Sequence, residues 1–123
     1  MNTIVAVFIG GGLGSITRYG ISVFIAERFK SVFPVATLVS NVLSCLLLGI
    51  TVLLLSSKSE LSPTWKLFII SGFCGGFSTF STFSYETVEL MRSNNMLYAL
   101  ANILISVVVC VVLVYILAKN TSV

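Results

Sequence analysis

Apolar residues fall into four long blocks along this chain, 3–26, 33–55, 63–90 and 96–118, with short polar stretches between them. Each block reaches the roughly 20 residues that a helix needs to cross a hydrocarbon core about 30 Å thick. The polar stretches hold the turn and charge residues: Arg28, Lys30 and Ser31, then Ser56 to Glu60 with Ser62, then Arg92 to Asn95. The pattern predicts an all-α membrane protein, one domain over 1–123 with four transmembrane helices, and leaves no segment for a soluble domain.

Composition agrees. Of 123 residues, 57% are hydrophobic and 9% charged, and a mean hydropathy of +1.09 is far above soluble usage. Met1 to Ile9 lacks the basic start of a secretory signal, so the first block reads as a retained span. Histidine is absent and the four carboxylates are scattered, which leaves almost no material for acid–base or metal-assisted catalysis; the chain does not read as an enzyme. Cys45, Cys74 and Cys110 each lie inside a span at spacings that match no metal or disulfide framework, and read as structural thiols.

Charge gives no clear orientation. Lys58, Lys66 and Lys119 fall on one side of the predicted membrane and Arg28, Lys30 and Arg92 on the other, three against three. Such balance suits a protein that inserts both ways and pairs as an antiparallel two-fold dimer, although a short sequence also reaches balance by chance.

Polar groups at membrane depth need partners, because a charge at the centre of a span costs roughly 2.5 to 3.5 kcal/mol on insertion scales. Arg18 follows Gly10, Gly11, Gly12, Gly14 and Ser15 in the first block. It reads either as an anion-attracting group in a wet vestibule or as a side chain that snorkels or pairs with Glu86 or Glu89. The glycines are not a nucleotide loop, which would follow a strand. Gly10 and Gly14, like Gly72 and Gly76, have the spacing of close helix packing. Thr37, Asn41 and Ser44 share one face of the second block, and Asn102, Ser106 and Cys110 one face of the fourth. Each stripe reads as interhelical glue or as a track of neutral hydrogen-bond partners for an ion.

The run Ser71-Gly72-Phe73-Cys74-Gly75-Gly76-Phe77-Ser78-Thr79-Phe80-Ser81-Thr82-Phe83-Ser84 is poor helix material. It predicts a break in the third span, where freed carbonyls and amides can meet ions. Phe80 and Phe83 lie on one face, and their positive ring edges suit an anion path, although an aromatic pair at helical spacing is commonly packing.

With this run, Gly12-Leu13-Gly14, Arg18-Tyr19, Thr37-Leu38, Asn41, Leu48-Gly49 and Glu86, the chain resembles the Fluc (also called CrcB) family of fluoride channels. The resemblance implies a dual-topology antiparallel homodimer in the cell membrane with two pores that carry fluoride passively out of the cytoplasm. It implies that Phe80 and Phe83 line the path and that Asn41, Ser81 and Thr82 donate to the anion. Asn102, Ser106 and Cys110 form a polar track by the same likeness. In the physical reading of such a path, Arg18 concentrates the anion at the entrance. The resemblance further implies a structural Na+ ion at the dimer centre, held by backbone carbonyls of Gly75 and Ser78. Ser44 stands where the family often has Gly, and Ser78 and Cys110 replace commoner Thr and Ser.

Two other readings stay open at this point. A small multidrug exporter is also a four-span dimer, but such exporters resemble one another in a membrane-embedded Glu of span one, where this chain has Arg18, with Glu27 only at the end. A holin-like structural protein would leave the third-span motif without a purpose.

Overall fold

The computed structural model describes residues 2–56 and 61–121, so Lys58 and Glu60 lie outside the described residues. Four apolar helical spans account for nearly all of it. α1 is Thr3–Arg28, capped by Asn2, whose side chain accepts the Ile4 N–H at 2.8 Å. It runs past position 26 to Arg28, whose guanidinium stacks 4.0 Å from the Phe24 ring centroid. Pro34 precedes α2, Val35–Ser56.

The third span covers Pro63–Arg92 in pieces. α3 (Pro63–Lys66) continues into a π-helical turn system, Leu67–Cys74, then α4 (Gly75–Phe77). Ser78 and Thr79 are extended, and α5, Phe80–Arg92, resumes the helix. The break is therefore much shorter than the Ser71–Ser84 run: glycine and hydroxyl content lowers helix propensity, but burial at membrane depth keeps most of these residues helical.

α5 ends in a tight reversal. Asn94 takes a left-handed conformation (φ 61°), which its short polar side chain tolerates. The Asn95 N–H reaches the Leu90 carbonyl at 2.8 Å and the Asn94 N–H the Met91 carbonyl at 3.3 Å, a Schellman arrangement. α6, Met96–Ala118, then runs back along α5.

The packing is that of a membrane protein, with small and polar residues between helices and large apolar ones outside. Thr37, Ser40, Ser44, Thr51, Thr87, Asn102 and Ser106 are all buried. The first half of the third span lies on α1 through the two glycine pairs. A Cβ at Gly10 would strike the Phe68 carbonyl, one at Gly14 the Phe73 carbonyl and one at Gly76 the Gly11 carbonyl; one at Gly72 would come within 3.1 Å of the Gly10 Cα. The second half lies on α6 instead. α2 packs along α6, closely enough at Gly49 that a Cβ there would lie 2.6 Å from Leu117 Cδ1. The break thus lets one span serve two different neighbours.

Candidate functional site

In an unbroken helix the Thr79 N–H would bond to the Gly75 carbonyl and the Thr82 N–H to the Ser78 carbonyl. Side chains intercept both donors. The Thr79 N–H donates to Asn41 Oδ1 at 2.8 Å while Asn41 Nδ2 donates back to the Thr79 carbonyl at 3.2 Å. The Thr82 N–H donates to Thr79 Oγ1 at 3.1 Å, an N-cap for α5. Among the described residues, no hydrogen bond then reaches the Gly75 or the Ser78 carbonyl. A Cβ on Gly75 would meet nothing within 4 Å, and the residue is exposed.

The neighbouring carbonyls are engaged. Cys74 O accepts from the Ser44 hydroxyl at 2.9 Å, the Ser78 hydroxyl at 2.9 Å and the Ser78 N–H at 3.0 Å. Gly76 O accepts from Arg18 Nε at 3.3 Å. The cation therefore faces the negative end of the first half-helix, a favourable dipole pairing. Among the described residues the alternative partners for Arg18 are not used: Glu89 pairs with Arg92 at 3.1 Å, and one Glu86 carboxylate oxygen is buried with no hydrogen bond. Glu86 and Glu89 border a separate cavity of about 350 Å³ with Ser31, Phe33, Pro34 and Ser93.

Beside the break lies a cavity of about 260 Å³ between α2, α5 and α6. Its polar wall is Asn41, Cys45, Ser78, Thr79, Ser106 and Cys110, and its apolar wall Phe80, Phe83, Val107 and Val111. An amide nitrogen carries two donors, and only one of Asn41's is committed to Thr79, so the other remains at the cavity wall. The Phe80 and Phe83 rings stand with centroids 5.6 Å apart, tilted by 42°. They differ in burial: Phe83 is 7% exposed and Phe80 76%.

Of the residues singled out in the sequence, Asn41, Phe80, Phe83, Ser106, Cys110 and Ser78 meet at this cavity. Ser81, Thr82, Asn102 and Arg18 do not line it. Ser81 and Thr82 sit in the first turn of α5, with Ser81 Oγ 3.3 Å from Thr79 Oγ1. Asn102 is 1% exposed and belongs to a buried chain of hydrogen bonds. The Ser106 hydroxyl bonds to Asn102 Oδ1 at 3.2 Å, Asn102 Nδ2 donates to Thr87 Oγ1 at 2.9 Å, and Thr87 Oγ1 donates to the Phe83 carbonyl at 2.8 Å. The fourth-span stripe is thus divided. Asn102 ties α6 to α5, and Ser106 and Cys110 face the cavity.

Thr87 is not singled out by the sequence, Thr79 only as a member of the third-span run, and Cys45 only as a structural thiol. Cys45 follows Asn41 by one turn on the same face, the one signal that was available.

The family model described as "CrcB-like protein, Camphor Resistance (CrcB)" matches residues 5–117. The chain is 47% identical over 112 residues to the "Fluoride-specific ion channel FluC" of Pyrococcus horikoshii, covering 91% of this chain and 89% of that one. It is 43% identical to the protein of the same description from Flavobacterium psychrophilum, covering 87% and 86%. It is 40% identical to "Fluoride-specific ion channel FluC 1" of Yersinia pseudotuberculosis, covering 97% and 95%.

Proposed function

The chain belongs to the CrcB family, and on that premise we propose that it is a fluoride-selective channel, a multi-pass protein of the cell membrane that lets fluoride leave the cytoplasm passively. The observation that carries the reading is the cavity wall, where a spare amide donor of Asn41 and the Phe80 and Phe83 rings surround a space free of fixed charge, with the oxygen of Ser106, whose proton goes to Asn102, beside them. Fluoride is small and strongly hydrated, so a selective path replaces much of its water shell with donors and avoids a cation that would trap it. A membrane potential negative inside drives an anion outward by about 2.3 kcal/mol per 100 mV. Arg18, held at Nε by Gly76, keeps its remaining guanidinium donors to concentrate anions at an entrance. Ser81 and Thr82, at the start of α5, donate on the approach to Phe80. Membership of this family replaces the exporter and holin readings, and a channel carries out no reaction.

The working unit is an antiparallel homodimer with two pores. Non-helical backbone at membrane depth persists only where protein covers it or water reaches it. Gly75 is exposed and Ser78 and Thr79 only half-buried in one chain, which a second copy would remedy.

A structural sodium ion fits the residues present, since hard cations take oxygen ligands and the Gly75 and Ser78 carbonyls have lost their helical donors. Bound there, it would supply positive charge to backbone dipoles that no hydrogen bond among the described residues satisfies. Two carbonyls alone leave such a cation open, and the same pair from a second chain would enclose it.

The test is purified protein in liposomes loaded with fluoride and chloride. A fluoride-selective electrode should record rapid release of fluoride while chloride stays inside. Equal release of the two anions would overturn the selectivity.

A further inference from the structure

α2 and α6 each present a cysteine to the cavity, Cys45 one turn beyond Asn41 and Cys110 one turn beyond Ser106. Both thiols line this one cavity, at the seam between the two helices. Gly49, one turn beyond Cys45, lies close against Leu117, two turns beyond Cys110, which holds the two helices together near this level. Both thiols are free and partly accessible, whereas Cys74 is buried, its carbonyl bonded by the Ser44 hydroxyl, and does not line the cavity.

We propose that Cys45 and Cys110 form a two-thiol site for a soft divalent cation in the cavity wall. Thiolates select soft metals, and a pair of them satisfies an ion that accepts linear two-coordination, of which mercuric ion is the probe. On binding, each thiol gives up its proton to solvent: two S–H bonds break, two S–metal bonds form, and no electron changes hands. The product of a divalent ion and two thiolates is neutral, so it adds no net charge to a low-dielectric wall. The bridge ties α2 to α6 beside Ser106 and narrows the cavity. This last consequence rests on the cavity being the fluoride path; the binding does not.

The experiment titrates detergent-purified full chain with mercuric chloride in the presence of excess glutathione, a competing monothiol, and reads the sulfur-to-mercury charge-transfer absorbance and the intact mass. One tightly held ion per chain is expected in the wild type and in Cys74→Ala. None should survive the competition in Cys45→Ala or Cys110→Ala, nor in Cys45→Ser or Cys110→Ser, which preserve size and polarity. Retention of the ion by variants of either cysteine, or its loss in Cys74→Ala, would overturn the site. In proteoliposomes the wild type should lose at least tenfold of its fluoride efflux on mercuric loading and regain it with dithiothreitol. Binding with unchanged efflux would leave the thiol site standing and refute the cavity as the path.

Discussion

Asn41 grips Thr79 by both of its backbone groups, taking the N–H on Oδ1 at 2.8 Å and giving Nδ2 to the carbonyl at 3.2 Å. One side chain of the second span thereby does the work of a peptide neighbour and keeps the third span from closing into a continuous helix. The same capture strips the Gly75 carbonyl of its helical donor. The shape of the break and the carbonyl that would face the proposed sodium are therefore coupled.

Replacing Asn41 with Leu should leave both Thr79 groups without their partner, at a cost of about 1–3 kcal/mol for each group that stays buried and unsatisfied. The Thr79 N–H should swing back toward Gly75, so stabilisation of the protein by sodium should weaken. Melting in sodium and in N-methylglucamine buffers checks this: the wild type should lose stability without sodium, and the variant should show a much smaller difference.

Phe80 and Phe83 should separate by stability but not by transport. Phe83 is buried, so Phe83→Ala should cost about 3–5 kcal/mol. Phe80 is exposed, and Phe80→Ala should stay within about 0.5 kcal/mol. Both, and the milder Phe80→Ile and Phe83→Ile, should slow fluoride efflux from liposomes. Unchanged efflux in Phe80→Ile would remove that ring from the path.

Gly14→Ala should prevent the first half of the third span from seating on α1, because its Cβ would enter the space of the Phe73 carbonyl and lie 2.8 Å from the Phe77 nitrogen. Backbone on both sides cannot yield as a side chain tip would. Gly20→Ala meets nothing within 4 Å and should gain up to about 1 kcal/mol of helix propensity. Yields of monodisperse protein on size-exclusion chromatography distinguish the two.

Thr87 and Asn102 should show positive coupling. A double-mutant cycle with Thr87→Val and Asn102→Leu, read by unfolding in mixed micelles, should give about 0.6 kcal/mol, the average for interhelical hydrogen bonds in membranes, and at most about 1.7. Additive effects would mean that the bond contributes nothing net.

Hydropathy alone determined the four helical spans, because lipid forces a span to be long, apolar and internally hydrogen-bonded. Local spacing also marked the glycine faces of Gly10, Gly14, Gly72 and Gly76, since only glycine permits backbones to touch. The family motif in the third span carried the rest of the functional reading. What composition misjudged was the extent of the break: propensity is a weak prior, and the run is helical except at Ser78 and Thr79.

The position of the break belongs to tertiary structure. Whether the Thr79 N–H turns to Gly75 or to Asn41 depends on α2 lying beside the third span, and no spacing along the chain encodes that juxtaposition. The division of the α6 stripe is decided in the same way. Asn102 and Ser106 share a helical face, but Thr87 on α5 absorbs Asn102 into the packing while Ser106 is left at the cavity. Periodicity tells which side chains share a face; only the neighbouring helix determines which of them still have a donor or acceptor to spare.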